Sequence, residues 1–219
     1  MDIGRAFSYV FDDDEWLTVI LIGGLILIVP IFGQIALIGF LFETARNVAA
    51  GDSRPLPKWN HLGDTFSLGL PGLLIQLVYA LPMLLLTCAF SCMFVFGTMS
   101  LSRQESAVGG VLMLTFLCLL PLLALISLVV QPLTLAAMVR YLQTGSLGGA
   151  LRVGAAVGLL RSDLGGWLLL WLLQILCGVV GGVGGVFFAI GAVFTSAYAT
   201  AVFGHMLGQM LARATPRDV

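Results

Sequence analysis

Leu164-Gly165-Gly166-Trp167-Leu168-Leu169-Leu170-Trp171-Leu172-Leu173-Gln174-Ile175-Leu176-Cys177 opens a stretch in which no Asp, Glu, Lys or Arg occurs before Arg213. Three other tracts have the same character: Trp16 to Phe42, Thr65 to Ser102 and Ser106 to Val139. About 20 apolar residues span a hydrocarbon layer roughly 30 Å thick as a helix, so each tract is longer than one crossing demands. Backbone amides in lipid must be satisfied internally, and these Leu-rich runs lack the alternation a barrel strand needs. Helices follow.

The whole composition agrees. A soluble domain carries about 25% charged and about 45–50% apolar residues; of these 219 residues 10% are charged and 59% are hydrophobic, and the mean hydropathy is +1.07. The net charge of −1 leaves no basic footprint of the kind that nucleic-acid binding requires. Cys88, Cys92, Cys118 and Cys177 all lie inside apolar tracts, with no disulfide framework or zinc spacing around them, and are read as small packing thiols. The chain opens with Met1, Asp2 and sets Asp12 to Glu15 before the first tract, unlike the basic start of a cleaved signal, so the N-terminus is expected to be retained.

The first and last tracts carry breakers. Pro30 to Gly33 is read as one turn, and the glycines between Gly178 and Gly185 as another, because glycine reverses a chain at little steric cost. Six helices result, over 16–29, 33–50, 71–97, 107–142, 166–180 and 186–213. Six crossings put Arg5, Arg46, Arg54, Lys58, Arg140, Arg152, Arg161, Arg213 and Arg217 on one side and Arg103 alone on the other, nine against one. Basic residues collect in cytoplasmic segments, so both termini are expected in the cytoplasm.

A short pattern recurs: Ile3-Gly4-Arg5-Ala6-Phe7, Leu62-Gly63-Asp64-Thr65-Phe66 and Leu147-Gly148-Gly149-Ala150-Leu151. Each precedes a pair of helices and places apolar residues on one face, as an interfacial helix does. The expected fold is an all-α, polytopic transmembrane bundle: one integral membrane domain over 1–219, built as three hairpins, each preceded by a short interfacial amphipathic helix, with repeats over 3–51, 62–145 and 147–215.

Several segments together resemble a known family. They are the opening Met1-Asp2-Ile3-Gly4-Arg5-Ala6-Phe7, the acidic stretch before Trp16-Leu17, Ile22-Gly23-Gly24, the run from Ile28 to Gly33, the Arg46 segment leading to Arg54-Pro55-Leu56-Pro57-Lys58-Trp59, and the closing His205-Met206-Leu207-Gly208-Gln209. They are similar to the prokaryotic membrane proteins of domain-of-unknown-function family four thousand and thirteen. The resemblance implies a multi-pass protein of a prokaryotic inner membrane and carries no activity with it.

Polar groups at membrane depth are costly and are functional candidates by default. Beyond hydroxyls they are Gln34, Glu43, Gln76, Gln131, Gln174, His205 and Gln209. Glu43 and Arg46, three residues apart, can meet on one helix face and snorkel; a proton or cation site is the competing reading. His205 and Gln209 lie one turn apart beside Gly204 and Gly208, a small-xxx-small surface suited to close helix packing. An axial ligand to haem or chlorophyll is the other role open to His205, although no cofactor is expected. Gln131 and Gln174 are expected near mid-depth, paired with each other or lining a cavity.

No nucleophile triad, carboxylate pair, H-E-x-x-H or phosphate loop is present, so no enzyme is expected. The expected role is that of an accessory or scaffold subunit of a larger membrane complex, with the bilayer and other subunits as partners. The alternative is a small transporter or channel for a neutral or lipidic substrate. One observation separates them: transport gains if a polar cavity joins Gln76, Gln131 and Gln174.

Overall fold

The computed structural model describes residues 1–100 and 105–215, and among them the regular structure is helical throughout. In order come α1 (Ile3–Ser8), α2 (Trp16–Leu27), α3 (Phe32–Ala50), α4 (Leu62–Ser100), α5 (Glu105–Thr144), α6 (Leu147–Ala150), α7 (Val153–Ser162), α8 (Leu164–Val183) and α9 (Phe188–Ala214). Three stretches, Trp59–Phe96, Leu117–Thr144 and Leu164–Val186, are long and apolar enough to cross a membrane. The Arg103 loop, on which the expected sidedness partly rests, lies outside the described residues.

Local chemistry sets the helix ends. Asp2 caps α1 by accepting from Arg5 N at 2.9 Å, Ser146 caps α6 through Gly149 N at 3.2 Å, and Asp163 caps α8 through Gly166 N at 2.9 Å. These are side chains whose oxygens satisfy the orphan amides of a first turn. Gly51 ends α3 at φ 82°, a left-handed conformation that carries no β-carbon penalty only in glycine. Within the apolar helices Thr44, Thr87, Ser91, Thr134, Thr144 and Thr200 each donate to the carbonyl four residues earlier, at 2.7–2.9 Å. Hydroxyls in hydrocarbon are thereby paired without leaving their own helix.

Two expected boundaries move. The Leu62 segment is not a separate interfacial helix; it forms the first turns of α4, which continues unbroken through Pro71 and Pro82. Buried Gly69 and Gly72 hold that stretch against α3, and a membrane helix tolerates proline where neighbours support it. The expected fifth helix, 166–180, also runs further, and the turn falls only at the end of the glycine run. The helix persists to Val183, and the reversal is a 3-10 turn over Gly184–Phe187. The reason is packing: α9 closes on Gly181 and Gly184, where an added β-carbon would meet Ser196 and the Gly191 backbone, and Thr195 Oγ1 donates to Gly181 O at 2.6 Å. An unforeseen helix, α7, buries Ala156 and offers the Leu159 carbonyl to Trp167 Nε1 at 3.0 Å.

The core lies where α3, α4, α5, α8 and α9 meet, around Phe42, Ile75, Leu135, Trp167, Val202 and Met206, all fully or almost fully buried. The small residue of each recurring segment is buried too: Ala6 at 0%, Thr65 at 4% and Ala150 at 0% exposure. Tyr198 donates to Phe7 O at 2.9 Å and Tyr79 to Ala150 O at 3.0 Å, so α1 and α6 are each fastened to the bundle by a tyrosine. The Arg54–Trp59 connection folds back on α2. Lys58 pairs with Glu15 at 2.7 Å and Arg54 with Asp14 at 3.3 Å, Trp59 Nε1 donates to Val19 O at 2.8 Å, and its indole stacks on Phe40 at 4.9 Å.

The α2–α3 pair is short. The 12 residues of α2 rise about 18 Å. Phe32, just past the Pro30 turn, stacks on Phe66 of the second turn of α4 with ring centroids 4.7 Å apart. The distal parts of α4 and α5, in contrast, stand clear of the bundle and expose Leu84, Leu85, Phe96, Leu117 and Leu125. Cys88, Cys92 and Cys118 are exposed there instead of packed, because among the described residues no third helix covers that part of the hairpin; Cys177 is buried.

Candidate functional site

Gln76, Gln131 and Gln174 come from three helices and line one cavity of about 360 Å³. Ile38 and Leu41 of α3, Thr134 and Met138 of α5 and Phe203 of α9 complete much of its wall. Gln76 is 14 residues into α4 and Gln174 is 10 into α8, while Gln131 stands 13 before the end of α5. At 1.5 Å per residue the three amides lie about 21, 15 and 20 Å along their helices from the same end of the bundle. The level coincides because antiparallel helices place matching offsets side by side.

No hydrogen bond joins Gln131 to Gln174, and none of the three amides bonds another described side chain or backbone group. Each is half-buried. A primary amide offers two donors and a carbonyl acceptor, and leaving one without a partner in apolar surroundings costs about 1–3 kcal/mol. Thr134 donates its one hydroxyl proton to Val130 O at 2.8 Å, which leaves the amides as the cavity's open side-chain donors. There is no formal charge on the wall.

Leu41, Gln174 and Phe203 also border a second cavity of about 430 Å³, whose other walls are Gly178, Gly181, Gly182, Ala192, Ser196 and neighbours on α8 and α9. The amide cavity thus shares three wall residues with a slot lined by small residues. The glycine run that suggests a turn in the sequence also has the i, i+3, i+4, i+7 spacing of one helix face.

The remaining candidates separate from this site. His205 is buried at 7% exposure, with its ring 4.5 Å from that of Tyr9 and its Nδ1 3.0 Å from Gln209 Nε2. Gln209 in turn clasps Asp2, accepting from its amide at 2.6 Å and donating to its carbonyl at 2.9 Å. The pair thus anchors α1 to α9. Tyr9 donates to Ala201 O at 2.9 Å, and burial pushes its phenol pKa up, so it remains a donor. Gly204 and Gly208 face α3: a β-carbon on Gly204 would lie 2.9 Å from Thr44 Cβ, and one on Gly208 would lie 2.7 Å from Ala45 O. Gln34 is exposed.

Glu43 makes no ion pair with Arg46 among the described residues; its Oε2 accepts from Thr65 Oγ1 at 3.4 Å. It lines a different cavity, about 500 Å³, with Arg46, Asn47, Lys58, His61, Asp64 and Tyr141 among its walls. Sequence reasoning grouped only Glu43 and Arg46, because the other members sit in connections and helix starts with no periodic relation to α3. Among the described residues no cluster of three or more metal-ligating side chains occurs.

These features define an all-α protein with helices long and apolar enough to cross a membrane and with an uncharged, amide-lined cavity among those helices. The chain belongs to the family described as protein of unknown function (DUF4013), whose model matches residues 22–205. No curated protein and no solved structure matches it.

Proposed function

We propose that this protein binds and moves a neutral amphipathic molecule within the membrane. The polar part of that molecule would take hydrogen bonds from Gln76, Gln131 and Gln174, and its apolar part would lie along the glycine-lined slot beside Gln174. The single observation that carries the reading is the convergence of three unpartnered amides on one uncharged cavity. Unpaired amides favour a ligand that supplies donors and acceptors, and the absence of a charged wall disfavours an ion, whose transfer from water needs compensating charge or oriented dipoles. The reading includes no catalytic step and no cofactor.

In the accompanying membrane arrangement α4, α5, α8 and α9 cross, and the α2–α3 hairpin dips in partway from the cytoplasmic side. Six full crossings would set Phe32 near one face and Phe66 near the other, across a core roughly 30 Å thick, whereas the two rings are stacked. A hairpin that enters and returns keeps Arg5 and the Arg46–Lys58 segment together, so the nine-to-one distribution of basic residues suits this arrangement equally, with both termini in the cytoplasm of a prokaryotic cell. In a variant lacking the native cysteines, Val29→Cys should resist an impermeant maleimide added outside cells, with Arg103→Cys as the reactive control. Labelling at position 29 would restore six crossings.

The accessory-subunit reading draws on the uncovered α4–α5 hairpin, although lipid covers such a surface as well as a partner does. The Gly204 and Gly208 surface offers it no support, because α3 occupies that surface within the chain. The two readings part in a direct experiment: protein purified from native membranes is extracted with organic solvent and the extract examined by mass spectrometry, then reconstituted with the molecule found. Recovery of one neutral amphipathic species near stoichiometry, with flux across liposomes, is expected. An empty protein that copurifies with a fixed larger complex would overturn transport in favour of the scaffold.

A further inference from the structure

The 500 Å³ cavity around the end of α3 is separate from the amide site and carries charge of both signs. Lys58 is already held by Glu15 at 2.7 Å. Arg46, which is exposed, makes no ion pair among the described residues. Glu43 has only the long 3.4 Å bond from Thr65, and Asp64 stands within Coulombic reach of it. A guanidinium without an ion pair and two carboxylates therefore line the same cavity, beside His61 and the paired Lys58, and a ligand that carries both an anion and a cation complements them.

We propose that this cavity binds the headgroup of phosphatidylethanolamine, with the phosphodiester on Arg46 and the primary ammonium between Glu43 and Asp64. A guanidinium engages phosphate through two parallel N–H bonds. A primary ammonium has three hydrogens to donate, which the two carboxylates accept. A quaternary ammonium has none and is recognised by aromatic cages, whereas Tyr141 supplies the only phenyl ring on this wall. Glu43 and Arg46 lie one turn apart, about 5–6 Å between β-carbons, the scale of the two-carbon link between phosphate and ammonium. The lipid is favoured over a free zwitterion by position: the cavity sits at the cytoplasmic end of α3 and α5 in the arrangement above, with Leu68 on its wall to meet the start of an acyl chain.

The test is native mass spectrometry of the full chain from nanodiscs holding equal amounts of phosphatidylethanolamine, phosphatidylcholine and phosphatidylglycerol. Wild type should retain the ethanolamine lipid at least about tenfold over either other lipid, and Arg46→Gln and Glu43→Gln should each cut that preference below about twofold. Because Glu43 is half-buried, the exposed Asp64→Asn change supplies a variant that leaves packing intact, and its preference should fall as well. Equal retention of choline and ethanolamine lipids would overturn the proposal, as would a preference surviving in the Arg46→Gln, Asp64→Asn double variant. Displacement of the lipid by millimolar glycerophosphoethanolamine would assign the site to a soluble zwitterion and overturn the lipid assignment.

Discussion

Leucine at both Gly204 and Gly208 is expected to prevent stable folding. The α3–α9 contact is made through these two positions, where even a single added carbon would fall 2.9 Å from Thr44 Cβ and 2.7 Å from Val48 Cβ. The Leu41 and Ala45 carbonyls lie at similar range, and backbone cannot swing aside as a flexible side-chain tip can. Overpacking costs about 1–3 kcal/mol per site, and more where backbone must shift. Two adjacent sites therefore remove a large part of a stability that is about 5–15 kcal/mol for most proteins. Thermal unfolding in detergent checks this. Gly158→Leu, at an exposed helical position with nothing within 4 Å, is the matched control and should leave stability unchanged or raise it by up to about 1 kcal/mol, because leucine is the better helix former. An unchanged midpoint for the double variant would mean that α9 does not rest on α3 as described.

The triple change of Gln76, Gln131 and Gln174 to Leu should have the opposite profile, with function lost and the fold kept. None of the three amides has a partner among the described residues, so removing them breaks no bond and relieves about 1 kcal/mol or more of unpaired polarity at each position. Melting temperature should hold or rise. Retention of the amphipathic ligand and its flux should fall at least about tenfold, the equivalent of one good hydrogen bond of about 1.4 kcal/mol. A drop in melting temperature of the kind seen when a buried network is broken would mean that the amides support the core. Full flux in the triple variant would remove the cavity from the mechanism.

Much of the helical framework was readable because it depends on what lipid demands of a chain. Length without charge marked the long helices, Pro30 to Gly33 marked a real turn, and Gln131 and Gln174 reached a common depth through residue counting alone. Other features depended on what lies beside a helix, which a single sequence encodes weakly. The glycines from Gly178 to Gly182 permit either a reversal or a close approach, and only the arrival of Thr195 and Ser196 decides between them. Leu62 to Leu70 has the amphipathic pattern of an interfacial helix, yet α3 packs on Gly69 and Gly72 and draws it into α4. Glu43 and Arg46 had the spacing of an ion pair, but Thr65, eleven residues beyond Arg54, takes the carboxylate instead. The partners of His205 were similarly hidden: Tyr9 and Asp2 lie almost the whole chain away, and no local spacing points to them.

The length of the α4–α5 hairpin has a further consequence. Helices of 39 and 40 residues are about 58 and 60 Å long, nearly twice the thickness of the hydrocarbon they enter, and large apolar side chains such as Leu85, Phe96, Leu117 and Leu125 stand exposed along them. Such a mismatch is met by steep tilt, by a bend at Pro82 or Pro121, or by local thickening of the bilayer, each costing a fraction of a kcal/mol per ångström. The hairpin therefore acts on the membrane as well as within it. The expected result is a protein sensitive to acyl-chain length, in which a thicker or thinner bilayer would change the angle between two walls of the amide cavity.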